Sequence, residues 1–214
     1  MMPHLAMDLY RKHYPDIGFE RAGLFRAIKK KYDCNYALYP GSFVHITPSF
    51  FFPHVVHVDQ HPTAKEFFAD LEAVLQYVDR NKQYRRSSYV RFIAQDYSTA
   101  LPLMDENFDL LIALYSGGIS QACKKHLKIG GILLTNNHHD DAGDALLDDE
   151  FTLISVVKYR RGTYTVIEDN LDGLSVPRRK AGRTRSDVRQ ASNGIEYIEN
   201  QDYYVFRRCL VRQA

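Results

Sequence analysis

The feature that most constrains this chain is a regular alternation of short apolar segments with amphipathic ones. Apolar segments typical of strands occupy residues 35–39, 55–58, 89–94, 108–114 and 132–135. Helical patterns, with apolar residues on one face, lie among them at 19–32, 63–80 and 119–127. Because this alternation is typical of strand–helix–strand units, it predicts a parallel sheet with helices on both faces and right-handed crossovers.

The alternation ends in two consecutive strand patterns, 151–158 and 163–168, which lie too close together to enclose a helix. They predict an antiparallel hairpin turning at 159–162, and one more strand is predicted at 203–210. We therefore expect a single-domain, doubly wound α/β protein with a mostly parallel sheet and a C-terminal antiparallel hairpin. Its predicted parts are an N-terminal helical segment (1–32), an α/β domain (33–168), and an appended basic loop and strand (169–214).

Charge and cysteine content narrow the possible partners and location. The 214 residues include 28 Lys and Arg against 26 Asp and Glu, so the net charge of +2 favours no particular partner. The three cysteines show no C-x-x-C spacing, which favours a reducing compartment. No run is long enough to span a bilayer, so a cytoplasmic protein without a membrane partner is expected. The basic stretch 178–189 could follow a phosphate backbone, but a solvated loop is favoured over nucleic-acid binding.

The first two predicted strands are separated by a loop whose chemistry suits a nucleotide. Pro40-Gly41-Ser42 breaks the first strand, and Asp59 ends the second. A small residue lets the backbone approach a ligand closely, and an acid at the next strand end can bind ribose hydroxyls. The usual glycine-rich fingerprint is absent, because Gly41 stands alone and is followed by Val-His-Ile-Thr-Pro at 44–48.

The ordered set of strands, together with the turn Leu-Lys-Ile-Gly-Gly-Ile-Leu-Leu at 127–134, resembles the class I S-adenosylmethionine-dependent methyltransferases over residues 33–168. The resemblance implies an S-adenosylmethionine cofactor. Tyr39, Pro40, Gly41 and Ser42 occupy the place of the family's glycine loop. The resemblance further implies that Asp59 holds the ribose and that Asp96, with Tyr97 beside it, contacts the adenine. Leu114, Tyr115 and Ser116 match the end of the fourth strand, which faces the transferred methyl group.

A polar run, Asn-Asn-His-His-Asp-Asp at 136–141, follows the next strand and adds candidates for acceptor chemistry. Asn136 and His138, with Tyr115 and Ser116, are the predicted catalytic residues of a methyltransferase whose acceptor the sequence does not name. No metal site is predicted, because adjacent histidines on an extended chain point to opposite sides.

Two other functions stay open at this point. One is a non-catalytic binding or scaffold protein of the same fold, with its pocket filled by Phe43, His45 or Phe50. The other is a different Rossmann-like enzyme that uses another nucleotide, or a metal near His138 and Asp140. Asp59 itself could merely cap the following helix, but Thr63 and Glu66 form a capping-box pattern there, which favours a ligand role for Asp59.

Overall fold

A single eight-stranded sheet organises the residues that the computed structural model describes, 3–171 and 202–210. Strands β1 to β5 pair in parallel, and β8 is antiparallel to both β5 and β6. The order across the sheet is β3-β2-β1-β4-β5-β8-β6-β7. The predicted fold class is confirmed. The strands are β1 (Tyr36–Pro40), β2 (His54–Val58), β3 (Tyr89–Ile93), β4 (Phe108–Ala113), β5 (Leu127–Asn136), β6 (Phe151–Arg160), β7 (Thr163–Ile167) and β8 (Asp202–Arg208).

The last strand lies inside the sheet. The predicted hairpin is confirmed as β6 and β7, which pair antiparallel. Strand β8 inserts between β5 and β6, and its residues 203–206 are all buried. A run of Tyr-Tyr-Val-Phe suits such a place, because a strand with neighbours on both sides and both faces covered needs apolar residues throughout.

Helices cover both faces of the sheet. Helices α2 and α4 pack with Tyr39 of β1 in one core, and α5 and α6 pack with Leu38 in the other. Consecutive residues of β1 thus enter opposite cores, as the pleat requires. None of the helices in the described ranges is long and apolar enough to cross a membrane. The basic stretch 178–189 lies outside the described residues. The helices are α1 (Pro3–His13), α2 (Ala22–Lys31), α3 (Pro62–Ala69), α4 (Leu71–Asn81), α5 (Ile119–Cys123) and α6 (Asp141–Leu146).

The helix predicted over 63–80 is two helices, and its predicted capping box is wrong. The backbone breaks at Asp70 (φ −97°, ψ 65°), whose carboxylate accepts the Ala73 N–H at 3.1 Å and starts α4. Helix α3 begins at Pro62, so its N-cap is His61, whose Nδ1 accepts the Thr63 N–H at 3.1 Å. Proline suits the first helical position, where its missing N–H would have no intrahelical partner. Thr63 therefore lies inside the first turn.

Candidate functional site

The strand order places a crevice between β1 and β4. The chain runs outward from β1 to β2 and β3, then returns to lay β4 and β5 on the other side of β1. In open α/β sheets, ligands bind at the carboxyl ends of the strands where the order reverses. Gly41 follows β1 and Ser116 follows β4, so these two residues border the expected crevice.

The loop after β1 is held tightly against the end of β4. Gly41 has φ +64°, and its N–H donates to the Val58 carbonyl at 2.8 Å. A Cβ at position 41 would lie 2.2 Å from Ser116 Oγ and 2.8 Å from Ser116 Cβ. Both the backbone angle and this close approach require glycine.

The loop lacks a second glycine, and Phe43 adopts a glycine-like backbone conformation in it. Its φ is +46°, in the left-handed region that glycine favours, so a bulky residue holds a glycine-like conformation two positions after Gly41. The Phe43 ring makes edge contacts with His13 and His61, each with centroids 5.2 Å apart. His45 and Phe50, the other two side chains that the scaffold hypothesis places in the pocket, are both buried: the His45 ring stacks on Tyr14, and Phe50 contacts Tyr77 of α4.

Asp59 ties the ends of β1 and β2 together. Its Oδ2 accepts the Phe43 N–H at 2.8 Å, and its Oδ1 accepts the His61 N–H at 2.7 Å. A carboxylate offers about four acceptor positions, so two such bonds leave others for a ligand. Asp59 does not cap α3, because His61 holds that position.

The other residues predicted to hold the cofactor occupy different environments. Asp96 accepts from the Ser98 N–H and hydroxyl, and these bonds lower the pKa of its carboxyl. The Tyr97 hydroxyl donates to the Gly117 carbonyl at 3.0 Å, which links the loops after β3 and β4. Leu114 is 1% exposed and packs in the same core as Tyr39. Of the first loop's residues, Tyr39 and Pro40 belong to β1 and Ser42 is buried behind it.

The four predicted catalytic residues lie at the ends of β4 and β5. The Tyr115 N–H donates to Asn136 Oδ1 at 3.3 Å, and the Tyr115 and His138 rings lie 5.4 Å apart. Ser116 contacts the first loop at Gly41. Asn136 is 2% exposed, yet its Nδ2 has no hydrogen-bond partner among the described residues.

A residue that the sequence analysis did not select, Arg21, lies beside Tyr115. Arg21 is 5% exposed with φ 56°, and its Cζ lies 3.3 Å from the Phe19 ring centroid and 4.2 Å from that of Tyr115. Nη1 donates to the Phe19 carbonyl at 3.0 Å, while Nε and Nη2 find no partner in the described ranges. Burial acts to lower the pKa of Arg21, but the hydroxyls of Tyr115, Tyr203 and Tyr39 outweigh it and the pKa is raised.

A cavity of about 340 Å³ opens near the amino ends of β1, β4 and β5, where Cys34, Asp109 and Lys128 line it. Asp109 there accepts from the Asn35 and Tyr36 backbone amides and from Lys128 Nζ. These three bonds, one of them to a lysine, connect the starts of β1, β4 and β5, so this carboxylate has a structural role. Within 3–171 and 202–210, no group of three or more His, Cys, Asp or Glu residues is placed to hold a metal ion.

Comparison with known proteins identifies the fold. No protein-family model matches the sequence, and no curated protein matches it. The chain is similar to the solved complex between the Haloferax volcanii Trm112 methyltransferase activator and the "putative methyltransferase" (TM-score 0.50, 12% identity, 99% of this chain and 97% of that chain). It is also similar to the N-methyltransferase NodS from Bradyrhizobium japonicum WM9 (TM-score 0.49, 14% identity, 89% and 96% of the two chains). At 12% identity, the likeness to the "putative methyltransferase" shows the fold alone.

Proposed function

We propose, from this class I methyltransferase-like fold, that the protein is an S-adenosylmethionine-dependent methyltransferase. The observation that carries the proposal is the approach of Gly41 to Ser116 where the strand order reverses, with Asp59 at the next strand end. A strand end that turns at a glycine where the strand order reverses, beside a carboxylate with free acceptor positions, suits a nucleoside that lies across the strand ends.

The residues at the carboxyl ends of these strands fit the adenosyl group. Asp59 would accept from the ribose hydroxyls through the lone pairs that the Phe43 and His61 amides leave free. Tyr97 and Asp96, after β3, would border the adenine, and the Tyr39–Ser42 loop would border the methionine part. When bound, the cofactor supplies an electrophilic methyl group on a sulfonium sulfur.

The chain's own contribution is to orient the acceptor and to accept its proton. Methyl transfer is an in-line displacement, so alignment of the acceptor atom supplies much of the acceleration. Tyr115 and Ser116 would border the acceptor from β4, and Asn136 would donate from β5. The His138 imidazole, beside Tyr115, can accept the acceptor's proton as the new bond forms.

Isothermal titration with S-adenosylhomocysteine tests the proposal. We expect the wild-type protein to bind it and Asp59→Asn to bind about 10- to 100-fold more weakly, because a hydrogen bond to a charged group contributes about 1.5–3 kcal/mol. Asp8→Asn is the matched control, since Asp8 is exposed on α1, and its affinity should equal that of the wild type. No binding by wild-type protein that is folded by circular dichroism would refute the proposal.

The second candidate is a non-catalytic protein of the same fold. One observation favours it: each Asp59 oxygen already accepts a backbone amide, as expected of a carboxylate kept to close a loop. It predicts that Asp59→Asn lowers stability while neither protein binds the cofactor, so the same titration separates the two functions.

A further inference from the structure

The end of the sheet beside β4 contains buried hydrogen-bond donors without acceptors. Arg21 keeps Nε and Nη2 unpaired with respect to the described part of the chain, and Asn136 likewise keeps Nδ2 unpaired. Both residues contact Tyr115, one through its ring and the other through its backbone N–H. Burying donors without partners costs free energy, roughly 1–3 kcal/mol for each neutral group and more for a charged one. Such a cost is typical of a site whose partner arrives as a ligand.

The two free nitrogens of Arg21 form one edge of the guanidinium. Nε–H and Nη2–H point in the same direction, and their spacing matches the two oxygens of a carboxylate. Nη1, on the other edge, is held by the Phe19 carbonyl at 3.0 Å. The guanidinium is thus held by the Phe19 carbonyl and ring and by the Tyr115 side chain, which also forms a hydrogen bond with it, while Nε and Nη2 have no hydrogen-bond partner among the described residues.

No carboxylate of the described chain serves as the counter-ion of Arg21. The neighbouring acid, Glu20, accepts from the Tyr10 hydroxyl through Oε1 at 2.7 Å. The groups with most influence on Arg21 besides burial are the tyrosine hydroxyls of residues 115, 203 and 39. A buried cation with aromatic rather than acidic neighbours is complementary to an anion that carries a flat apolar body.

Two of the three tyrosines that act on Arg21 lie away from the expected nucleoside, and the third, Tyr39, belongs to the loop proposed for the methionine part of the cofactor. Tyr115 and Tyr203 follow β4 and begin β8, whereas Asp59 and Asp96 follow β2 and β3 on the other side of β1. Tyr203 is the cross-strand partner of Asn136, which places both donors near the same two strands. Phe19 and Tyr115, which enclose the guanidinium, are themselves partly exposed, so the site lies close to the protein surface.

We propose that Arg21 and Asn136 bind the carboxylate of an acidic, aromatic methyl acceptor, with Arg21 holding both oxygens through Nε and Nη2. The proposal rests on the methyltransferase function proposed above. It names the acceptor class: a small molecule with a carboxylate on a flat ring, whose ring lies among Phe19, Tyr115 and Tyr203.

The first experiment titrates benzoate into the whole protein. The ionic strength is held constant, and chloride serves as the reference anion. We expect the wild type to bind benzoate and Arg21→Met to bind it at least about 30-fold more weakly, as truncation of one partner of a buried charged pair does. Arg21→Lys should also lose affinity, because an ammonium cannot bind both oxygens in parallel. The control is Arg26→Met, on the exposed side of α2, which should leave benzoate affinity unchanged.

The stability of the ligand-free Arg21→Met variant shows whether Arg21 binds a ligand or stabilises the fold. We expect Arg21→Met to unfold at a temperature no lower than that of the wild type, because it removes an uncompensated buried charge. If instead Arg21→Met lowers Tm by several degrees and benzoate does not bind the wild type, Arg21 is structural and the proposal is overturned.

Two nucleosides distinguish the acceptor's carboxylate from the cofactor's own. S-adenosylhomocysteine carries a carboxylate and 5′-methylthioadenosine lacks it. Equal affinity of wild type and Arg21→Met for both nucleosides, with loss of benzoate binding, supports the proposal. Loss of affinity for S-adenosylhomocysteine alone would assign Arg21 to the cofactor and overturn it. If the wild type binds neither nucleoside, the proposed function fails, and the benzoate arm still decides whether Arg21 is an anion site.

Discussion

Lowering the pH from 7.5 to 5 should reduce the free energy of unfolding by about 2 kcal/mol through His57 alone. His57 is fully buried, its Nε2 lies 3.2 Å from Ser49 Oγ, and burial lowers its pKa to about 3. An unfolded histidine has a pKa of about 6.5. Between these two values the unfolded chain binds a proton that the folded protein does not. The stability present above pH 6.5 is therefore lost progressively as the pH falls towards 3.

Urea unfolding at pH 7.5, 6 and 5 measures this effect. His57→Leu removes the titrating group at similar volume, so its loss of stability between pH 7.5 and 5 should be smaller than that of the wild type by about 2 kcal/mol. His61→Asn is the control, because His61 is exposed and asparagine keeps an acceptor at the N-cap of α3. An identical pH dependence in wild type and His57→Leu would contradict the prediction.

His45 acts in the same direction and connects stability to the site. Its Nε2 faces the Glu20 carbonyl at 2.9 Å, so Nε2 donates and Nδ1 accepts the Tyr39 hydroxyl at 2.9 Å. Burial first, and the Arg21 charge second, hold the pKa of His45 well below its usual range. A proton on Nδ1 would turn the Tyr39 hydroxyl from donor into acceptor and leave its own proton without this partner, so acid should weaken the contact between β1 and the segment before α2.

Much of the fold was predictable from local patterns. The run at 108–114 is apolar without alternation, as a strand covered on both faces requires, and the close spacing of 151–158 and 163–168 leaves room only for a hairpin. The place of β8 was not predictable, since its position between β5 and β6 depends on pairing across more than forty residues of sequence from β6. The break at Asp70 was missed because the apolar stripe continues across it, while the carboxylate that starts α4 there is a single local contact.

The site residues that follow strand ends could be predicted from the sequence. Those brought to the site from other parts of the chain could not. A parallel sheet brings the carboxyl ends of its strands to one side. The sequence therefore places together four residues that come at or just after predicted strand ends: Gly41, Asp59, Tyr115 and Asn136. Arg21 gave no such signal, because it lies inside the helix that the sequence predicts over 19–32. The rings that bury it come from the loop before α2 and from the end of β4. Because these segments are far apart in the sequence, no local pattern predicts the contact.

Gly41→Ala should lower the free energy of unfolding by about 2–5 kcal/mol. A left-handed backbone costs a residue with a Cβ about 1–2 kcal/mol, and overpacking against Ser116 adds about 1–3 kcal/mol. Gly18→Ala is the matched control, since Gly18 has φ +66° against +64° for Gly41, and its Cβ would meet nothing within 4 Å. Gly18→Ala should therefore show the backbone cost alone, and the difference between the two variants measures the contact with Ser116.

The contact itself is tested by a second substitution, because Ser116→Gly removes both atoms that an alanine at 41 would strike. In the Gly41→Ala, Ser116→Gly double variant, the loss of stability should fall to that of Gly18→Ala added to that of Ser116→Gly, a coupling of about 1–3 kcal/mol. Strict additivity of the two single effects would mean that the loop after β1 does not press on the end of β4 in solution. Glycine at position 41 would then be required by its own backbone angle alone. A measured coupling would instead show that position 41 is limited to glycine by the opposite side of the crevice as well as by its own backbone.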